Sequence, residues 1–252
     1  MFRYVLVHAH EHPSLEQGQA WPGLLSPREE EILAGLVYLP RRRKWLLGRA
    51  AAKRLVREIA RDPALRDDTI SVLNQPSGAP FVLVEGQGGW PYPISISHRS
   101  HIGMAASSMD PSIHIGADVE TVELRDSALV RQFFTDDEAE IVDRAGAERD
   151  LVVARLWSAK EAVLKLLGVG LRVDTRSITV NLVGKTFSGC PVGWLPIDVK
   201  LSAESYIKIP LHTFRQPFEQ SVRQSIRIVW RQEGSCVLTV AIAATASSPQ
   251  IY

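Results

Sequence analysis

Apolar residues recur at two different periods along the chain, and the changes of period mark its elements. Residues 2–7 alternate as a strand does, with successive side chains on opposite faces. Ser26, Pro27 and Glu29 then supply an N-cap, a proline where a missing N–H costs nothing, and a capping-box carboxylate, so a helix is expected to start there. Pro40 is expected to break it. A second helix over residues 41–60 puts Trp45, Gly48, Ala52, Leu55, Val56 and Ile59 on one stripe, with Arg49 and Lys53 flanking it one turn apart.

Residues 62–92 are rich in proline, glycine and short β-branched runs, which predicts loops and brief strands. Residues 94–97, 102–107 and 113–119 alternate again and predict a small antiparallel sheet in the middle of the chain. Thr135 and Glu138 form a second capping box, opening a helix to about Ala145, and a longer helix is expected over residues 150–167, stopped by Gly168. Residues 178–183, 199–201, 226–230 and 237–244 read as strands of a second sheet. No repeat of fixed period and no low-complexity tract interrupts this order.

Composition narrows the function classes without choosing one. The chain has 252 residues, 45% hydrophobic and 23% charged, which suits one large domain or two smaller ones with real cores. Its formal net charge of +1 argues against a nucleic-acid partner held by wholesale phosphate neutralisation. The densest basic stretch, Arg41 to Lys44 followed by Arg49, Lys53, Arg54 and Arg57, suits a nucleotide-sized anion instead. With only Cys190 and Cys236, neither a disulfide framework nor a thiolate zinc site is implied. No apolar run reaches the roughly 20 residues that span a bilayer, and no cationic leader precedes an apolar core. A soluble cytoplasmic protein without a membrane partner is expected.

Three constellations could carry chemistry. Asp118 and Glu120 sit two apart at a strand end and therefore project to one face; paired carboxylates invite a hard cation such as Mg²⁺, although a solvated strand end has the same spacing. On the long helix Val152, Leu156, Ala159, Val163 and Leu166 form an inward stripe, while Ser158, Glu161 and Lys165 gather on the far side beside Trp157. Because that helix is widely apolar, its polar strip is expected to face a cleft; a plain i,i+4 surface pair is the alternative. Ser97 and His98 end a strand and, with Arg99, could hold a phosphate, or simply form a turn. No P-loop, dinucleotide fingerprint or nucleophile elbow occurs.

Taken together and in order, Gly48-Arg49, Ser95-Ile96-Ser97-His98, Ile115 to Glu120, Phe133-Phe134-Thr135 and Trp157 to Lys165 resemble the surfactin-type 4'-phosphopantetheinyl transferases, in the subgroup with a Trp and Lys-Glu-Ala motif and broad activity on acyl and peptidyl carriers. The resemblance runs by motif from about Ser26 to Leu171. It implies an α+β fold of two similar halves related by pseudo-twofold symmetry, each a small mostly antiparallel sheet packed on helices, with the active site in the cleft between them. The halves are placed at residues 1–111 and 112–252.

The resemblance also implies a reaction: the phosphopantetheine arm of coenzyme A passes to a carrier-protein serine with Mg²⁺, releasing 3',5'-ADP, in a monomer. Carried over residue by residue, Asp118, Glu120 and Glu161 become metal ligands, and Glu161 and Lys165 become catalytic. Arg49, Lys53, Gly78, Ser97, His98 and Lys165 become coenzyme A contacts. Two positions depart from the family pattern. Gly78-Ala79-Pro80 lacks the basic residue that many relatives place between glycine and proline, and Ile32 stands where a basic residue is common. Arg41 to Lys44, Arg49 or Lys53 are then expected to compensate. Two rival functions share parts of this pattern: a metal-dependent nuclease, and a carrier-binding pseudoenzyme that has lost coenzyme A.

Overall fold

The computed structural model describes residues 2–202 and 226–244. The C-terminal parts of the expected strand-rich tail, residues 203–225 and 245–252, lie outside the described residues. Helices α1 (Pro13–Glu16), α2 (Pro27–Gly35), α3 (Leu39–Ala60), α4 (Ser127–Phe133), α5 (Asp136–Arg144) and α6 (Arg149–Leu166) alternate with strands. The strands are β1 (Phe2–His8), β2 (Ile70–Asn74), β3 (Pro80–Val84), β4 (Gly88–Gly89), β5 (Ile94–Arg99), β6 (Ile102–Ser108), β7 (Ile113–Thr121), β8 (Ile178–Asn181), β9 (Leu195–Leu201), β10 (Arg227–Glu233) and β11 (Cys236–Ala244).

Both capping boxes form as the sequence predicts, at Ser26/Glu29 and Thr135/Glu138. Pro40 plays a different part from the one expected. Helix α2 already ends at Gly35, and Pro40 sits in the first turn of α3, where its fixed φ helps and its absent N–H is not needed. Helix α4, capped by the Asp126 side chain, is short and lacks a periodic stripe, so pattern reading missed it.

The expected middle sheet divides. Strands β5 and β6 pair with β1 in the order β1-β6-β5, whereas β7 leaves them and becomes the edge of a five-stranded sheet ordered β7-β11-β10-β9-β8. Its partner is the C-terminal strand β11, with Asp118 opposite Thr239 and Glu120 opposite Val237. The outer edge of β7 is still satisfied, because the Ser95 and Ser97 hydroxyls on β5 accept hydrogen bonds from the Ala117 and Val119 N–H groups at 2.9 and 3.3 Å. Two serine side chains thus stitch one sheet to the other where a ladder would otherwise run.

The same order of elements occurs twice. β1, α2, α3, β2, β3, β5 and β6 correspond to β7, α5, α6, β8, β9, β10 and β11, and β1-β6-β5 matches β7-β11-β10 in strand order. A buried ion pair repeats with it. In the first half Glu29 accepts from the Val72 N–H and from Lys53, whose ammonium also donates to the Leu24 and Asp67 carbonyls at 2.6 and 2.9 Å. In the second half Glu138 accepts from the Val180 N–H, and Lys160 reaches Glu138 at 2.7 Å and the Thr175 and Ile178 carbonyls at 2.9 and 2.7 Å. Each pair clamps a capping-box helix to a long helix and to the strand after it. The α+β architecture of two similar halves therefore rests on matching topology and matching buried chemistry.

Candidate active site

The site forms where β5, β7 and α6 meet. Gly116 lets β7 run directly against α6, since a Cβ built there would lie 2.0 Å from the Ala162 carbonyl oxygen. Residues 116, 118 and 120 share that face of β7, so Asp118 and Glu120 point toward α6, which presents Glu161 and Lys165 one turn apart. The Lys165 ammonium donates to the Asp118 Oδ1 at 2.7 Å, to the Ser97 hydroxyl at 2.8 Å and to the Ala117 carbonyl at 3.1 Å. Ser97 in turn donates to the same Asp118 oxygen at 2.7 Å. The other oxygen, Asp118 Oδ2, is buried with no hydrogen-bond partner.

Burial, then the neighbouring Asp118 charge, push the Glu161 carboxyl up to about 7; Lys165 offsets part of this and Glu120 adds a lesser upward push. The three acids are therefore close enough to feel one another. Among the described residues no three His, Cys, Asp or Glu side chains are already gathered as a ready-made cage. Glu120 is engaged elsewhere, by Arg99 at 3.1 Å and Arg125 at 2.5 Å. Burial and Asp118 raise its pKa while the two guanidinium groups lower it. In this arrangement Asp118 is bonded to Lys165 and Ser97, Glu161 lies within the field of Asp118, and Glu120 is bound by arginines.

Beside this cluster a cavity of about 540 Å³ is lined by Arg41, Lys44, Trp45, Arg49, Asn74, Gly78 and His98. Arg49 stacks over Trp45 at 4.7 Å and donates to the Asn74 side-chain Oδ1 at 2.7 Å, while the Asn74 side-chain Nδ2 donates to the Gly78 backbone carbonyl at 2.7 Å. Asn74 therefore fixes both the guanidinium and the turn at Gly78. Burial lowers the Arg49 pKa to about 10, which leaves it cationic at neutral pH. His98 is held below the ordinary imidazole range by burial and by the Lys165 and Lys44 charges. A second cavity of about 930 Å³ shares Gly78 and Pro80 with the first and extends past Lys165 to Leu171 and Arg172.

Arg49, Gly78 and His98 thus line one cavity, and Ser97 and Lys165 join the acidic cluster. Ser97 bonds Asp118 and Lys165, while His98, the next residue on the strand, lines the basic cavity, because successive strand residues face opposite ways. Lys53 is a correction. Its side chain is 0% exposed and its three donors are spent inside the first half, so it lines neither of these two cavities. Ser158 also separates from Glu161 and Lys165, being fully buried on the inward side of α6. Pattern reading gave no role to Asn74 or Arg125, and it placed Trp45 on the apolar stripe of α3 and Arg99 with a phosphate, whereas the basic stretch from Arg41 to Lys44 with Arg49, Gly78 and His98 did signal this cavity.

A curated 4'-phosphopantetheinyl transferase, psf-1 of Bacillus pumilus, is 28% identical over 141 residues, a match spanning 56% of this chain and 56% of that relative's length. A holo-(acyl-carrier-protein) synthase from Bacillus anthracis, solved in complex with CoA (3',5'-ADP), superposes with a TM-score of 0.35 at 19% identity over 42% of this chain and 91% of that one. Holo-ACP-synthase from Plasmodium yoelii gives a TM-score of 0.36 at 17% identity, covering 53% of this chain and 95% of that one. Residues 114–191, the segment that carries Asp118, Glu120, Glu161 and Lys165, match the model of the 4'-phosphopantetheinyl transferase superfamily.

Proposed function

We infer that the chain transfers the 4'-phosphopantetheine arm of coenzyme A to a serine of an apo carrier protein. The observation that carries this reading is a pair of adjoining cavities that share Gly78, Pro80 and Ile96, one basic and tryptophan-lined and the other lined by Lys165, whose ammonium bonds Asp118. A nucleotide phosphate suits Arg41, Lys44 and His98, and the diphosphate then reaches Lys165. Arg41, Lys44 and Arg49 answer the basic residues missing at Ala79 and Ile32.

A hard divalent cation fits the donor set, because Asp118 Oδ2 is buried and unpartnered and the field of Asp118 and Glu120 on Glu161 would be relieved by positive charge. Asp118 and Glu161 would hold Mg²⁺, which supplies neutralising charge to the diphosphate when bound. Lys165 stabilises the leaving side. The carrier serine oxygen bonds to the β-phosphorus, the bond to the bridging oxygen breaks, and 3',5'-ADP leaves. Glu161, poised near neutrality, takes the serine proton.

The motif order further supports a broad carrier range, with halves at residues 1–111 and 112–252 acting as a cytoplasmic monomer. Among the described residues no helix is long and apolar enough to cross a membrane. Incubation with coenzyme A, Mg²⁺ and several apo carrier proteins, read by intact mass, tests the reaction. A phosphopantetheine increment on a carrier is expected, and its absence from every carrier would remove the proposal. Plasmid nicking would point instead to a nuclease, and carrier binding with a silent coenzyme A titration to a pseudoenzyme. Glu161→Gln is expected to lower turnover by about a hundredfold.

A further inference from the structure

Arg172 is tied to both halves of the chain yet is paired with no acid. It ends the short turn Gly170–Arg172 that follows α6. Its Nε donates to the Val169 carbonyl at 3.1 Å and its Nη2 to the Gly168 carbonyl at 3.4 Å, an ordinary use of a basic side chain at a helix C-terminus. The same Nη2 also crosses to the first half and donates to the Ser77 carbonyl at 2.9 Å. Ser77 belongs to the turn that Asn74 fixes from its other side and that the Gly78 N–H closes by donating to the Gln75 carbonyl at 2.8 Å. Arg49, Asn74, the Gly78 turn and Arg172 thus form one run from the smaller cavity to the end of α6.

Carbonyl oxygens carry only partial charge, so these three bonds leave the guanidinium cation uncompensated. Among the described residues no carboxylate lies within ion-pair distance of Arg172 and its Nη1 has no partner, whereas Lys165 is paired with Asp118. The larger cavity, which Arg172 and Lys165 both line, has no Asp or Glu in its walls among the described residues. A planar guanidinium with an unused edge matches phosphate oxygens there. A ligand that rests a nucleotide phosphate on Arg41, Lys44 and His98 and carries its diphosphate to Lys165 must pass the shared wall at Gly78, Pro80 and Ile96, to which the bond with Ser77 brings Arg172.

Resting on the coenzyme A reading above, we propose that Arg172 binds the diphosphate of coenzyme A from the second half, on the cavity it shares with Lys165. Its bonds to Ser77 and to the end of α6 orient the guanidinium beforehand, so little side-chain freedom is left to lose when the anion arrives. The charge it brings is one that no acid of the protein has already neutralised.

The test is calorimetric binding of coenzyme A, and of adenosine 3'-phosphate, which lacks the diphosphate, to wild type, Arg172→Gln and Arg172→Lys. Arg172→Gln is expected to weaken coenzyme A by about tenfold, the size of one charge-assisted hydrogen bond, and to leave adenosine 3'-phosphate unchanged. Arg172→Lys keeps the charge and should recover most of the loss. Unchanged coenzyme A affinity in Arg172→Gln overturns the proposal. So does equal weakening of both ligands, which would make Arg172 a prop for the Gly78 turn and nothing more. Arg172 is exposed, so its variants are expected to melt close to wild type; should Arg172→Gln melt early, Arg172→Ala is judged by the same criteria. Wild-type protein that binds neither ligand at millimolar concentration would remove the coenzyme A reading itself, and this inference with it.

Discussion

Gly116 of β7 passes so near Ala162 of α6 that the strand and helix touch through backbone atoms, with the Leu166 N–H only 2.4 Å from where a Cβ would sit. This contact holds Asp118 and Glu120 at the level of Glu161 and Lys165. Gly116→Ala must push the helix outward, because the clashing atoms are backbone and cannot rotate away. It is expected to cost about 1–3 kcal/mol or more and, in molecules that still fold, to lower turnover much more than coenzyme A affinity. Urea denaturation with steady-state kinetics checks both; an unperturbed variant would refute the close approach.

Lys53 and Lys44 separate structure from recognition. Lys53→Met leaves Glu29 buried without its cation and is expected to cost about 3–5 kcal/mol, while folded molecules bind coenzyme A as wild type does. Lys44→Ala, on an exposed position of the cavity wall, should leave stability within about 0.5 kcal/mol and weaken coenzyme A. The twin substitution Lys160→Met should destabilise as Lys53→Met does, since it strips Glu138 of the same kind of partner. Chemical denaturation beside calorimetry distinguishes the pairs, and the assignment fails if Lys53→Met folds stably but binds poorly.

Glu161 makes stability pH-dependent in a defined direction. Its folded pKa, about 7, lies above the ordinary 4.5, so the folded state favours the protonated acid. The stability it confers is complete below about pH 4.5 and is lost as pH rises through 7. Without divalent ions, Glu161→Gln should match wild type near pH 4 and melt higher by about 3 °C at pH 8, a figure reduced for partial solvent screening. Added Mg²⁺ should shrink the gap by stabilising the wild type. Melting curves that stay parallel from pH 4 to 8 would contradict the assignment.

His98 should report phosphate binding through protons. Burial, Lys165 and Lys44 hold its pKa below 6.5 in the free protein, so it is neutral at pH 7.5. A phosphate dianion beside it raises that pKa, and binding takes up a proton. Affinity for coenzyme A should then increase as pH falls through the neutral range. Calorimetry in buffers of different ionisation enthalpy should show the uptake in wild type and its loss in His98→Gln. Equal proton exchange in both would place the phosphate elsewhere.

Much of the site is legible in local pattern. Two-residue spacing puts Asp118 and Glu120 on one strand face, four-residue spacing puts Glu161 and Lys165 on one helix face, and both capping boxes appear as they form. These features follow from backbone periodicity within a few residues, which any strand or helix of this sequence must obey.

The remainder depends on which distant segments meet. Lys53 and Arg49 lie one turn apart on α3 and both approach Glu29, yet Lys53 spends its donors on Glu29 and buried carbonyls while Arg49, held by Asn74, lines a cavity. Likewise β7 left its neighbours in sequence for β11, and Glu120 was taken by Arg99 and Arg125 before any spacing rule could foretell it. The sequence by itself determined the elements and the face each acid occupies. Only tertiary structure decided which cation each acid meets, since that choice is made by burial and by contacts between residues far apart along the chain.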